Sequence, residues 1–227
     1  MLIVIEPHVE ATRQRLLADL QLRTFVDVNL QIPKVYCGTG EVRLIILGQD
    51  PTVLSEKGRR KIRTVLNLDR GGSLKTYLAK LCSGLGIQLE ENVYATNLLK
   101  NFFVVQPTKI ADKSVLRRFA EAWLPVLATE LAPYESVPVI TLGEPVLALI
   151  INAGSSPFVK AYWDYRAHEE AGRPGHFSHL TASQNRLGRD IFPFPHQPSM
   201  RQPFYSATID HYLDYVRDEI SRKRLWR

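Results

Sequence analysis

Three polar residues stand where an apolar run gives way to a turn: Asp50, Asn97 and His196. A carboxylate can orient a water and offset positive charge developing on a sugar. An amide donates and accepts, so it can read a nucleobase edge with two hydrogen bonds. An imidazole can donate to a leaving oxygen as that oxygen gains negative charge. Taken singly, each has a plain structural explanation: a turn aspartate, a capping asparagine, a satisfied loop histidine. Taken together, they describe cleavage of an N-glycosidic bond.

The elements that must position them read as alternating strands and helices. Residues 42–47 (VRLIIL) are apolar and β-branched apart from Arg43, the pattern of a buried parallel strand, and run into Gly48-Gln49-Asp50-Pro51. Residues 92–97 (NVYATN) predict a second strand ending at Asn97. Residues 137–142 predict a third, ending at Gly143-Glu144-Pro145, and residues 190–194 a fourth, leading into Pro195-His196. Helices are predicted over 9–22, 74–85 with Ser73 as N-cap, 112–131 capped by Asp112 or Ser114, after Pro145, and over 204–224. Residues 27–41 read as irregular, and 155–189 as the least legible stretch. The expectation is one α/β domain over 1–227, a three-layer α/β/α sandwich around a mostly parallel, four-stranded sheet. In such sheets ligands bind at the carboxyl ends of the strands, which would bring the three residues together.

Composition narrows the classes. The 227 residues are 45% apolar and 23% charged, as in globular proteins. A formal net charge of +6 and a pI near 9.4 permit a polyanionic partner. Two cysteines, Cys37 and Cys82, supply neither a disulfide framework nor the four thiolates of an iron–sulfur cluster. The apolar region 137–151 is too interrupted to span a bilayer, and the N-terminus does not read as a signal peptide. The chain is expected to be intracellular and monomeric, without membrane, metal or cofactor. His168, His176 and His179, with Glu169 and Glu170, do not form a strong metal signature and read as surface or pocket-rim groups. Trp163, Tyr165 and Phe158 either cover the sheet or line a nucleic-acid groove, and core packing is the reading preferred. The basic run 55–63 is either a solvated loop or a phosphate-contacting arm.

Several segments resemble the uracil-DNA glycosylase superfamily, in the right order and with compatible spacing. Gly48-Gln49-Asp50-Pro51 matches the start of the family 1 motif GQDPYH. Ala95-Thr96-Asn97-Leu98-Leu99 is similar to the strand whose asparagine recognises uracil. Leu142-Gly143 is similar to the Leu-Trp-Gly-Ser segment, and His196-Gln197-Pro198-Ser199-Met200 resembles HPSPL with one residue inserted and one lost. The resemblance covers roughly residues 42–205, at low identity between motifs. It implies a glycosylase-like fold and a monofunctional, cofactor-independent DNA glycosylase that flips a damaged base, uracil or a deaminated relative. Asp50 would orient the water, with Gln49 contributing its backbone. Asn97 would pair with the base edge and His196 with the departing oxygen. Ser73, Gly143, Ser199 and Arg201 would contact the DNA backbone, and Met200 would be the wedge that fills the gap left by the flipped base.

The departures bear on the base. Thr52 stands where family 1 has a methyl-excluding tyrosine, Val53 replaces the next histidine, and Leu66 falls near the stacking phenylalanine. Leucine covers a base face without π-stacking, so strict uracil selectivity does not follow. Two other readings remain open: a non-catalytic glycosylase-fold protein that binds DNA or protein, and an enzyme acting on free nucleosides.

Overall fold

The computed structural model describes residues 5–165, 176–223 and 225. It is an α/β protein with a mixed five-stranded sheet: β1 (Tyr36–Cys37), β2 (Leu44–Gly48), β3 (Val93–Asn97), β4 (Val139–Leu142) and β5 (Ile191–Phe194), in the order β1-β3-β2-β4-β5. Strands β2 to β5 are parallel; β1 is antiparallel to β3 at the edge, with Tyr36 opposite Ala95. Leu44, Ile45, Ile46 and Leu47 are wholly buried, so both faces of β2 are covered.

The expected sheet had four strands. The fifth, β1, lies in the stretch read as irregular, because two residues carry no readable period and its pairing depends on a partner far along the chain. Nor does the third strand begin at residue 137 or the second at 92. Asn92 closes a short helix, and its side-chain amide accepts from Gln88 N at 3.1 Å and donates to Glu41 O at 3.0 Å.

The helices follow from local capping. The predicted 9–22 helix is two, α1 (Glu6–Ala18) and α2 (Leu20–Arg23), broken at Asp19, whose carboxylate accepts from Gln21 N and Leu22 N at 3.0 Å. α3 (Glu56–Arg59) forms within the basic run. Ser73 is not the cap of α4 (Ser73–Gly84) but its first residue; Gly72 occupies the cap position and offers no side chain. α5 is Leu89–Asn92, and α6 (Lys113–Leu131) is capped by Asp112, which accepts from Ser114 N at 2.9 Å. α7 (Glu144–Ile150), α8 (Val159–Tyr162) and α9 (Pro203–Lys223) complete the set, with α1 packed on α6 and α4 on α9.

One contiguous core runs from Leu16 to Ile220. Trp163, fully buried, stacks on Tyr212 with centroids 4.4 Å apart, and its indole N–H donates to Pro193 O at 2.8 Å. Tyr165 packs at the edge of this core. Phe158, expected with them, is 57% exposed instead, at the N-cap of α8. His179 is no rim histidine: it lies half-buried between Tyr215, Lys223 and Asp190. His168, Glu169 and Glu170 lie outside the described residues. Among the described residues there is no group of three or more His, Cys, Asp or Glu placed to hold a metal ion, and no helix is long and apolar enough to cross a membrane.

Candidate functional site

The parallel register sets the ends of β2 to β5 along one edge of the sheet. Gly48 sits beside Asn97, and Leu142 beside Phe194, so residues 49–50, 143 and 195–196 leave the sheet on the same side. They enclose a cavity of about 530 Å³ lined by Gln49, Asp50, Thr52, Leu66, Gly143, His196 and Ser199 among others. A second cavity of about 450 Å³ shares Asp50, Thr52, Leu66 and His196 and adds Ser73. Asp50 and His196, far apart in the sequence, thus face shared space.

Asp50 is half-buried. Its carboxylate accepts from Thr52 N at 2.7 Å. Loss of water around it pushes its pKa up from the ordinary carboxylate value to about 6, against an opposing pull from the Thr52 hydrogen bonds. At neutral pH it is therefore ionised in the main yet basic enough to take a proton from water. Thr52 lines the cavity as the sequence position required, but its hydroxyl also accepts a bond of its own, from Phe103 N at 2.8 Å. The threonine ties the turn bearing Asp50 to the segment after β3 and leaves its hydroxyl proton for the carboxylate. Replacing Thr52 with Val should raise the Asp50 pKa above about 6, because a group that favours the charged form is lost. A carboxyl-carbon NMR titration of Asp50 measures this without any substrate; an unchanged or lowered midpoint would contradict it.

His196 is exposed at the cavity mouth, immediately before a 3₁₀ turn over Gln197–Arg201. Partial removal from water holds its pKa below the ordinary imidazole value. It is therefore neutral at pH 7 and can donate one N–H to a developing oxyanion. Its approach to β4 depends on Gly143, which has φ +85°; a Cβ there would lie 3.2 Å from His196 Cβ. Gly48 is constrained likewise: a Cβ would meet Asn97 Oδ1 at 2.4 Å and Leu66 Cδ2 at 3.0 Å.

Asn97 does not line the Asp50–His196 cavity. It is 2% exposed and borders a third cavity of about 690 Å³ that also reaches Lys100 and Glu130. Neither its amide nitrogen nor its amide oxygen has a hydrogen-bond partner among the described residues. Leu66, which does line the Asp50–His196 cavity, presses on Gly48 from the same side and sits in a left-handed conformation with φ 55° and ψ 12°. Leucine rarely adopts that conformation, and it costs on the order of 1–3 kcal/mol. Met200 is half-buried and packs against the core rather than projecting freely. Arg201 is exposed at the end of its turn.

Sequence reasoning missed Gln106, Glu144, Lys160 and Tyr205, which also line the 530 Å³ cavity. No motif or periodicity marks them. Lys160 lies over the Tyr165 ring, 4.5 Å from its centroid. It missed, too, the buried network beneath Asn97, in which Lys100 Nζ contacts Glu130 Oε2 at 2.5 Å and Thr96 Oγ1 at 2.9 Å while Tyr94 donates to Glu130 Oε1 at 2.8 Å. Comparison with protein-family models returns no match, and comparison with curated proteins returns none either.

Proposed function

We propose that the chain is a DNA glycosylase with a three-layer α/β/α, uracil-DNA glycosylase-like architecture, hydrolysing the N-glycosidic bond of a damaged base within DNA. The observation that carries this reading is the shared cavity: the Asp50 carboxylate and the His196 imidazole line one space of about 530 Å³. In the step proposed, the C1′–N bond breaks and its electron pair leaves with the base. His196 donates a hydrogen bond to the base oxygen that gains charge. Water oxygen bonds to C1′ and its proton passes to Asp50. The product is a free base and an abasic strand. Uracil or another deaminated base is the substrate class, and Thr52 and Leu66 shape the pocket that accepts it.

The test is alkali-dependent cleavage of oligonucleotides carrying single uracil, hypoxanthine, xanthine or mismatched thymine. The wild type should cut at least one, and His196→Ala should cut it on the order of 10²-fold or more slowly, the usual scale for losing one oxyanion donor. Equal cutting by His196→Ala would remove the imidazole from the mechanism.

A second reading, a non-catalytic glycosylase-fold protein that binds DNA or protein, has one specific support. Asn97, the base reader implied by the resemblance, borders a different cavity from the one lined by Asp50 and His196. Tight binding to an abasic analogue with no base release from any lesion favours that reading.

A further inference from the structure

The turn after Asp50 is anchored on both sides of one residue. Pro51 is buried, Thr52 is tied to Phe103, and the Val53 carbonyl accepts from Arg59 at 3.2 Å. Arg59 is itself buried and faces Asp27 at 3.7 Å, so its charge is committed inside the fold. Ser55 caps α3 by accepting from Gly58 N at 3.0 Å. Between these anchors Leu54 is held 71% exposed.

Leu54 is not an isolated surface leucine. Val53 next to it is 39% exposed and lines the same cavity as Leu54. A single exposed apolar residue needs no explanation, whereas an apolar pair on an anchored turn beside a cavity does. Leu54 lines the 450 Å³ cavity that also reaches Asp50 and His196. Arg70 lines that cavity too, and Lys57, Lys61 and Arg63, in the basic run that follows Leu54, are exposed.

Cations around an apolar tip fit a partner that is anionic outside and apolar within. A nucleic-acid duplex is such a partner, its phosphates outside and its base stack inside. Continuity with the Asp50–His196 cavity favours it over an anionic lipid surface, which needs no adjoining cleft. Met200, the residue that the motif order puts forward as a wedge, is by contrast packed against the core.

We propose that Leu54 is an apolar wedge that enters a DNA duplex at the lesion, with Lys57, Lys61 and Arg63 on the flanking phosphates. This rests on reading the cavity as a glycosylase site. It assigns the gap-filling role to the turn that carries the catalytic carboxylate, so insertion and placement of Asp50 become one movement.

The test uses fluorescence anisotropy on DNA carrying a tetrahydrofuran abasic analogue, in a duplex and in a single strand, with 2-aminopurine opposite the analogue in the duplex. The analogue has no base, so the result does not depend on which base the cavity takes. Leu54→Ala should bind the duplex about tenfold or more weakly and lose the 2-aminopurine response, as expected when an apolar wedge at an unstacked step is removed. Its binding to the single strand, which has no gap to fill, should match the wild type. Leu20→Ala, 79% exposed in α2, should match the wild type on both.

Equal duplex binding by Leu54→Ala, equal losses on both DNAs, or a duplex-specific loss in Met200→Ala instead would overturn the wedge while leaving base release by the wild type intact. Wild-type protein that ignores both DNAs but binds phosphatidylserine vesicles would overturn both the wedge and the glycosylase reading.

Discussion

Asp50→Asn should give a protein that is folded, more stable than the wild type, and at least a hundredfold slower at releasing a base. The two effects share one cause. The fold holds the Asp50 carboxyl at a pKa of about 6 by withdrawing water from it, and keeping it ionised at neutral pH therefore costs the folded state free energy. The sign follows from proton binding. Between the ordinary carboxylate value and about pH 6 the folded chain holds this proton more often than the unfolded chain, so stability falls as pH rises through that window. Above it the penalty is felt in full. Asparagine is isosteric and neutral, so it removes the penalty. The gain should be near zero in strong acid and reach roughly 1–3 kcal/mol by neutral pH, raising the melting temperature by roughly 2–4 °C per kcal/mol for a chain of this size. Activity should fall about 10²–10⁴-fold, the scale of general acid–base catalysis. Paired calorimetry and base-release assays test this. A variant less stable than the wild type at neutral pH would mean that the carboxylate is a structural partner rather than a strained catalytic group.

The second large effect lies below the site. Lys100 and Glu130 are 5% and 6% exposed and pair directly, with Tyr94 and Thr96 completing the network. Lys100 also donates to Asn97 O at 3.4 Å, so the pair supports the end of β3 where the sheet meets its cavities. Lys100→Met leaves a carboxylate buried and without its cation, which should destabilise the fold by about 3–5 kcal/mol. Lys100→Met with Glu130→Gln removes both charges yet keeps an acceptor for Tyr94, and should recover most of that loss. Urea unfolding of wild type, single and double variants decides the point. A double variant no more stable than the single one would show that the loss comes from packing of the lysine stem rather than from an uncompensated charge.

The legibility of this molecule follows from its forces. Strands β2 to β5 were readable because a strand buried on both faces is a mostly apolar run, and the turn residues that end each run then fall at the sheet edge. This is why Asp50 and His196 could be placed at one edge before any coordinates. β1 was not readable, since Tyr36 and Cys37 become a strand only through pairing with Tyr94 and Ala95. The break at Asp19 and the demotion of Ser73 from cap to first helical residue turn on a backbone angle at one position. The stretch before β5 is held by side-chain bonds between residues far apart in sequence, such as Asn152 Nδ2 to Ser183 O at 2.8 Å and Tyr212 Oη to Ser178 O at 3.2 Å, which leave no periodic trace. Asn97 is the instructive case. Its position at a strand end was legible, but which cavity it borders is set by side chains distant in sequence, Lys100 and Glu130 among them, and no local rule supplies that.

The most direct test of the central claim is a single-turnover pH profile of base release from a lesion-bearing oligonucleotide, compared between wild type and Asp50→Asn. If Asp50 is the water-activating group of the Asp50–His196 cavity, release should rise through an acid limb centred at about 6, and that limb should vanish with the activity in Asp50→Asn. No base released from any lesion at any pH, or the same acid limb in both proteins, would contradict the claim.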